Sequence, residues 1–191
     1  MSLHDIIKKN EYTVAIWKDT ESVKELINLN TQLSTKHINS TKRKKEYLSV
    51  RLLLQSILPN AQISYNQYGG PELDNKNISI SHSKGLSAII ISDKKVGIDI
   101  EKISNQTLRL SNKFILNGRH EPLTKEKTTL IWCCKEAIYK LYVTGKIDFK
   151  DILIESFCVK SGGKIKAIFN NNTHTLTYKR IYNHFLVYVC K

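Results

Sequence analysis

Two hydrophobic periods run along this chain of 191 residues, and they change over several times. Residues 13–17 (TVAIW) form a short apolar run that predicts a strand. Residues 20–28 set Val23, Leu26 and Ile27 at helical spacing. Residues 42–58 predict a longer helix. Its apolar face is Tyr47, Leu48, Leu52, Leu54, Ile57 and Leu58; the basic cluster Lys42-Arg43-Lys44-Lys45 opens it and Pro59 ends it. Arg51 lies in mid-helix among apolar neighbours. Tyr68-Gly69-Gly70-Pro71 reads as a turn.

The centre of the chain is β-rich. Residues 77–81 alternate, with Ile78 and Ile80 on one face, and Ser83-Lys84-Gly85 breaks the run. Residues 86–92 (LSAIIIS) have the composition of a buried strand, Asp93-Lys94-Lys95 is a turn, and residues 96–101 (VGIDIE) form a further strand. Residues 128–143 predict a helix. In the tail, strands are expected at 156–160, at 164–169, and over 175–190 with an interruption near Asn183; Gly162-Gly163 signals a hairpin between the first two. Clustered strands with intervening helices point to an α+β fold rather than a regular βαβ array. The length suits one globular unit, or two small lobes sharing a core.

Composition narrows the partners. Thirty basic residues against 17 acidic ones give a net charge of +13 and a pI near 9.5. The partner is therefore expected to be acidic: nucleic acid, an anionic membrane, a phosphorylated small molecule or an acidic protein. No apolar run is long enough for a membrane helix, and the first eleven residues lack the apolar stretch of a secretion signal, so the expected compartment is the cytoplasm. The four cysteines include the adjacent Cys133 and Cys134 but no CxxC pair, which suits neither a zinc site nor a disulfide framework.

Three short segments carry the candidate chemistry. In Gly97-Ile98-Asp99-Ile100-Glu101, a strand sends the isoleucines one way and the two carboxylates the other, roughly 6–7 Å apart along the backbone. Such a pair suits a hard cation such as Mg²⁺; the alternative is a solvated edge strand with an acidic outer face. In Trp132-Cys133-Cys134-Lys135-Glu136-Ala137-Ile138-Tyr139-Lys140, Glu136 and Lys140 share a helix face. They read either as a metal and phosphate pair or as a plain surface ion pair. Ser81-His82-Ser83, before Lys84-Gly85, offers hydroxyls and an imidazole to an anion; the alternative is an exposed or structural histidine. There is no nucleophile elbow, no phosphate-binding P-loop and no dinucleotide turn.

Taken in order, strand-SHS, then GIDIE, then WxxKEAxxK resembles the 4′-phosphopantetheinyl transferase superfamily, in its longer single-chain Sfp-like group. Asn66-Gln67-Tyr68-Gly69-Gly70-Pro71 upstream, and Thr144-Gly145-Lys146 with Phe149 and Ile152 downstream, also fit. The resemblance covers residues 45–157. Gly70 and Cys133 depart from it, standing where family members often have a basic residue and a small hydroxyl residue. So does Gly118-Arg119-His120, in place of an acidic helix start.

The resemblance implies two similar α+β lobes related by pseudo-two-fold symmetry, residues 1–92 and 93–191, with the metal site in the second and coenzyme A in the cleft. It implies a monomer that transfers the phosphopantetheine arm of coenzyme A to a serine of an acidic acyl or peptidyl carrier protein, releasing adenosine 3′,5′-bisphosphate. Asp99, Glu101 and Glu136 would hold Mg²⁺, with Mn²⁺ as the alternative. Glu136 would take the serine proton, and Lys140 would contact the phosphate at the scissile bond. Arg51, Ser81 and His82 would bind coenzyme A phosphates, and neither nucleic acid nor a membrane is expected as a partner. The competing readings are a basic nucleic-acid-binding module, motivated by residues 42–45 and the charge, and a coenzyme A-binding homologue without catalysis.

Overall fold

The computed structural model describes residues 3–29, 31, 33–116, 118–142 and 147–191. The elements are β1 (Leu3–Lys8), β2 (Tyr12–Lys18), α1 (Val23–Leu29), α2 (Thr41–Ile57), β3 (Ser64–Tyr65), β4 (Pro71–Glu72), β5 (Asn77–Ser83), β6 (Leu86–Ser92), β7 (Val96–Lys102), α3 (Asn105–Arg109), α4 (Lys125–Tyr142), β8 (Leu153–Ile154), β9 (Gly162–Phe169), β10 (Asn172–Ile181) and β11 (His184–Cys190). Single 3₁₀ turns lie at Ser111–Lys113 and Phe149–Asp151. This is a mixed α+β fold. None of the described helices is long and apolar enough to cross a membrane.

Two antiparallel sheets form the frame. One has the order β1-β2-β6-β5 and the other β7-β11-β10-β9-β8, so the chain passes from the first to the second through the turn Asp93-Lys94-Lys95. Strand alternation sorts the side chains into three apolar layers. Ala15, Trp17, Ile78, Ile89 and Ile91 of the first sheet pack on Leu26 of α1 and on Leu48, Leu52 and Leu53 of α2. Val14, Ile16, Ala88 and Ile90 turn the other way and meet Ile98, Ile100, Leu186 and Tyr188 of the second sheet. The far face of the second sheet packs Phe185, Val187 and Val189 on Leu130, Cys133, Ala137 and Ile138 of α4. Strand β6 is buried along its whole length because both its faces are covered.

The long helices begin at side-chain caps. The Ser40 hydroxyl accepts from Arg43 N at 3.4 Å, and that of Thr124 from Lys127 N at 3.1 Å. The expected turn over residues 68–71 connects β3 and β4, with Gly69 at φ 77° and Asn66 Oδ1 accepting from Tyr68 N and Gly70 N.

One strand was not foreseen, and two expectations change. Residues 3–8 form a strand that the mixed polar pattern conceals: β1 is a sheet edge with a register break between Leu3 and Asp5. Residues 156–160 are not a strand. Their alternation reports Phe157 and Val159 packing on the core, without a backbone ladder. The short strand instead lies at Leu153–Ile154, and Gly162-Gly163 begins β9 rather than turning a hairpin. The expected helix end at Val143 and the Thr144-Gly145-Lys146 segment lie outside the described residues.

Candidate active site

The site grows from the line where β5 of one sheet meets β7 of the other. Among the described residues, strand β7 pairs with β11 on one side only. Its outward N–H groups would lack partners in a buried seam, at a cost of about 1–3 kcal/mol each. Serines supply them. Ile98 N donates to Ser79 Oγ at 3.1 Å, Ile100 N to Ser81 Oγ at 3.2 Å, and Lys102 N to Ser83 Oγ at 3.2 Å. The partners advance two residues at a time on both strands, so β5 and β7 run parallel, joined through hydroxyls instead of a backbone ladder.

Across this seam the same hydroxyls meet the acidic pair. Ser81 donates to Asp99 Oδ1 at 2.7 Å and Ser83 to Glu101 Oε2 at 2.9 Å. Asp99 is only 3% exposed, which overturns the solvated-edge alternative for that residue. Its Oδ2 is buried without a hydrogen-bond partner.

Helix α4 supplies the third carboxylate and the lysine. Gly97 lets it approach: a Cβ there would lie 2.0 Å from the Ala137 carbonyl oxygen, so only glycine fits against the helix backbone. That approach carries Lys140 Nζ to 2.8 Å from Asp99 Oδ1, an ion pair between helix and strand rather than along the helix surface. Glu136 joins the same electrostatic cluster. Burial, and then the Asp99 charge, push its carboxyl up to about 7, and the same two causes raise Glu101.

The donor set suits a hard divalent cation, which prefers carboxylate oxygen. The unpartnered Asp99 Oδ2 is a free buried acceptor, and a cation would offset the repulsion that raises Glu101 and Glu136. As arranged, no three His, Cys, Asp or Glu side chains among the described residues converge as a metal cage. The Lys140 ammonium neutralises part of the charge on Asp99.

On the other side of β5 lies an open cavity of about 700 Å³. Alternation along the strand turns His82 into it, together with Ile80, while Ser81 and Ser83 face the carboxylates. Arg51 lines it from α2, with its guanidinium 3.4 Å above the Tyr47 ring and Nη1 donating to Tyr47 O. Arg43, from the basic cluster, lines it too. Glu46 Oε1 lies 3.3 Å from His82 Nδ1, and Glu46 pairs with Lys42 at 3.6 Å. Arg51 and His82 are thus brought together. Ser81 is not: it is 6% exposed and both of its bonds are spent in the seam, so a surface contact to a phosphate is not what this arrangement offers.

Three residues shape the site in ways that sequence reasoning did not assign. Ser83 holds Glu101, and its signal was the Ser79-x-Ser81-x-Ser83 alternation. Gly97 sets the helix–strand distance. Lys135, buried at 4% exposure, donates to Phe149 O at 2.6 Å and to Ile152 O, tying the segment after α4 back to the helix. Phe149 in turn stacks on Trp132 and Tyr139. Cys133, one of the departures from the family pattern, is fully buried with its thiol 3.7 Å from Phe185 O. Burial, and then the Asp99 and Glu101 charges, push that thiol well above its ordinary range, so it stays a neutral thiol packed beside the acidic cluster.

With this geometry in view, the likeness to known proteins falls where the site lies. The model of the 4′-phosphopantetheinyl transferase superfamily matches residues 95–190, half of the chain, from the start of β7 to the end of β11. The chain belongs to that superfamily. The match includes Asp99, Glu101, Glu136 and Lys140 and extends through the last thirty residues, beyond the span on which the motifs alone rested. Among curated proteins, the chain is 29% identical over 146 residues to the 4′-phosphopantetheinyl transferase gsp of Aneurinibacillus migulanus. That alignment covers 71% of this chain and 56% of the relative, so the chain spans little more than half of that protein's length.

Proposed function

We propose that this protein transfers the 4′-phosphopantetheine group of coenzyme A to a serine hydroxyl of an acyl or peptidyl carrier protein, releasing adenosine 3′,5′-bisphosphate. The observation that carries the proposal is the buried, unpartnered Asp99 Oδ2, with Lys140 paired to the other oxygen of that carboxylate and with burial and the Asp99 charge raising Glu101 and Glu136. Only one strand separates this cluster from a cavity lined by Arg51, Arg43 and His82.

Asp99, Glu101 and Glu136 would hold the divalent cation, Mg²⁺ or Mn²⁺. When bound, it neutralises and polarises the pyrophosphate. Arg51 and His82 bind coenzyme A phosphates in the cavity, where the guanidinium is held against Tyr47. Glu136 takes the proton from the incoming serine. The serine oxygen then bonds to phosphorus as the P–O bond to the bisphosphate leaves. Lys140 offsets the charge on the departing phosphate. The nucleophile belongs to the partner.

The fold supports reading the molecule as two α+β lobes, residues 1–92 and 93–191, related by pseudo-two-fold symmetry, since each sheet has its own long helix on its outer face. We read it as a monomer. The net charge of +13 suits two acidic partners, a polyphosphate and a carrier protein, and the use of Arg43 as cavity lining favours this over nucleic-acid binding. The test is incubation with coenzyme A, Mg²⁺ and a panel of apo carrier proteins, followed by mass spectrometry. A gain of the phosphopantetheine mass is expected, and its absence with every carrier would overturn the proposal.

A further inference from the structure

The serines of β5 do two jobs that separate along the strand. All three hydroxyls, Ser79, Ser81 and Ser83, accept a backbone N–H of β7 and so hold the seam. Among the bonds given for these hydroxyls, only those of Ser81 and Ser83 run onward to a carboxylate: Asp99 Oδ1 at 2.7 Å and Glu101 Oε2 at 2.9 Å. A hydroxyl that accepts from the backbone has its proton free to donate, so each carboxylate is oriented by a fixed strand rather than by a mobile side chain. For Asp99 the bond to Ser81 and the ion pair with Lys140 both fall on Oδ1, which leaves Oδ2 as the buried free acceptor.

We propose that Ser81 and Ser83 are positioning residues that aim Asp99 and Glu101 at the cation, and that Ser81 acts through Asp99 instead of touching a coenzyme A phosphate. The inference rests on the metal-binding reading of these carboxylates given above. It assigns different work to neighbouring residues on one strand. His82, which faces the cavity, serves the nucleotide, while its two serine neighbours, which face β7, serve the carboxylates.

The test compares Ser79→Ala, Ser81→Ala and Ser83→Ala in the full-length protein. Ser79→Ala is the internal control, because it removes the same kind of seam bond without a carboxylate contact. Free Mn²⁺ is titrated by electron paramagnetic resonance at saturating coenzyme A, and coenzyme A affinity is measured separately in EDTA. Ser81→Ala and Ser83→Ala are each expected to weaken Mn²⁺ binding by roughly 10–100-fold, the usual effect of losing a partner behind a metal ligand. Ser79→Ala should leave Mn²⁺ binding unchanged, and coenzyme A affinity in EDTA should stay within about twofold for all three, well inside 1.4 kcal/mol. Ser83→Thr, which keeps the hydroxyl, should restore Mn²⁺ binding. If Ser81→Ala fails to fold, the half-buried Ser83 decides the matter alone.

Unchanged Mn²⁺ affinity in the Ser81 and Ser83 variants would overturn the proposal, as would an equal loss in Ser79→Ala. A fall in metal-free coenzyme A affinity with Ser81→Ala would return that residue to phosphate binding. Should the unmodified protein bind no Mn²⁺, the metal reading itself fails and the proposal falls with it, an outcome distinct from failure of the variants alone.

Discussion

Replacing Gly97 with alanine puts one methyl group where helix and strand leave no room. The new Cβ would stand 2.0 Å from the Ala137 carbonyl oxygen and 3.0 Å from Leu141 N, against an ordinary contact of 3.4 Å or more. The obstacle is helix backbone, which cannot rotate away as a side chain can, so α4 must retreat by roughly 1 Å or more. Overpacking of this kind costs about 1–3 kcal/mol. For a domain of this size, that lowers Tm by about 2–4 °C per kcal/mol. The larger effect falls on catalysis. The same retreat carries Glu136 and Lys140 away from Asp99, and a misplacement of about 1 Å can cost on the order of 10²-fold in rate. The assay pairs thermal unfolding with the rate of transfer to an apo carrier protein. Wild-type stability together with a wild-type rate would refute the reasoning.

Glu136 gives a pH prediction in the metal-free protein. Its folded value of about 7 lies above the ordinary 4.5, so the stabilising contribution is full below pH 4.5 and is lost as pH rises through 7. Glu136→Gln escapes that loss. Its stability advantage over wild type should widen between pH 4.5 and 7 to on the order of 3 kcal/mol, and a margin that stays constant in urea unfolding would count against the buried acidic cluster. Lys135→Met strips the Phe149 and Ile152 carbonyls of their shared donor and should destabilise the fold by ~2–4 kcal/mol; an unchanged unfolding midpoint would show that these carbonyls do not depend on it. Arg51→Ala should weaken coenzyme A binding about 10–100-fold, the worth of one charge-assisted hydrogen bond, as read by calorimetry. Wild-type affinity would remove Arg51 from the phosphate site.

The ends of the chain were the hardest part of the fold to read from sequence. Strand β1 mixes His4, Asp5 and Lys8 with Leu3, Ile6 and Ile7, because an edge strand meets solvent on more than one side. Residues 156–160 erred in the other direction. Phe157 and Val159 alternate as a strand does, but alternation reports only which side chains face the core, and the backbone there lacks a ladder partner. The central elements were legible because β6 and α4 are long, strongly patterned and buried.

What the sequence determined alone was local: the alternation that sends Asp99 and Glu101 to one side of β7, the helical spacing that sets Glu136 and Lys140 on one face, and the order of three motifs that points to the superfamily. Alternation likewise separates Ser81 and Ser83 from His82, but it does not say which set faces substrate. Only the tertiary structure decided that, by running β5 parallel to β7 so that the serines meet backbone N–H groups and carboxylates. It also gave Lys140 to Asp99 and buried Lys135 against two carbonyls. The physical reason is the same in each case. Periodicity fixes the direction of a side chain relative to its own element, whereas its partner depends on which element packs opposite, and that is settled by burial and by the need to satisfy every polar group within it.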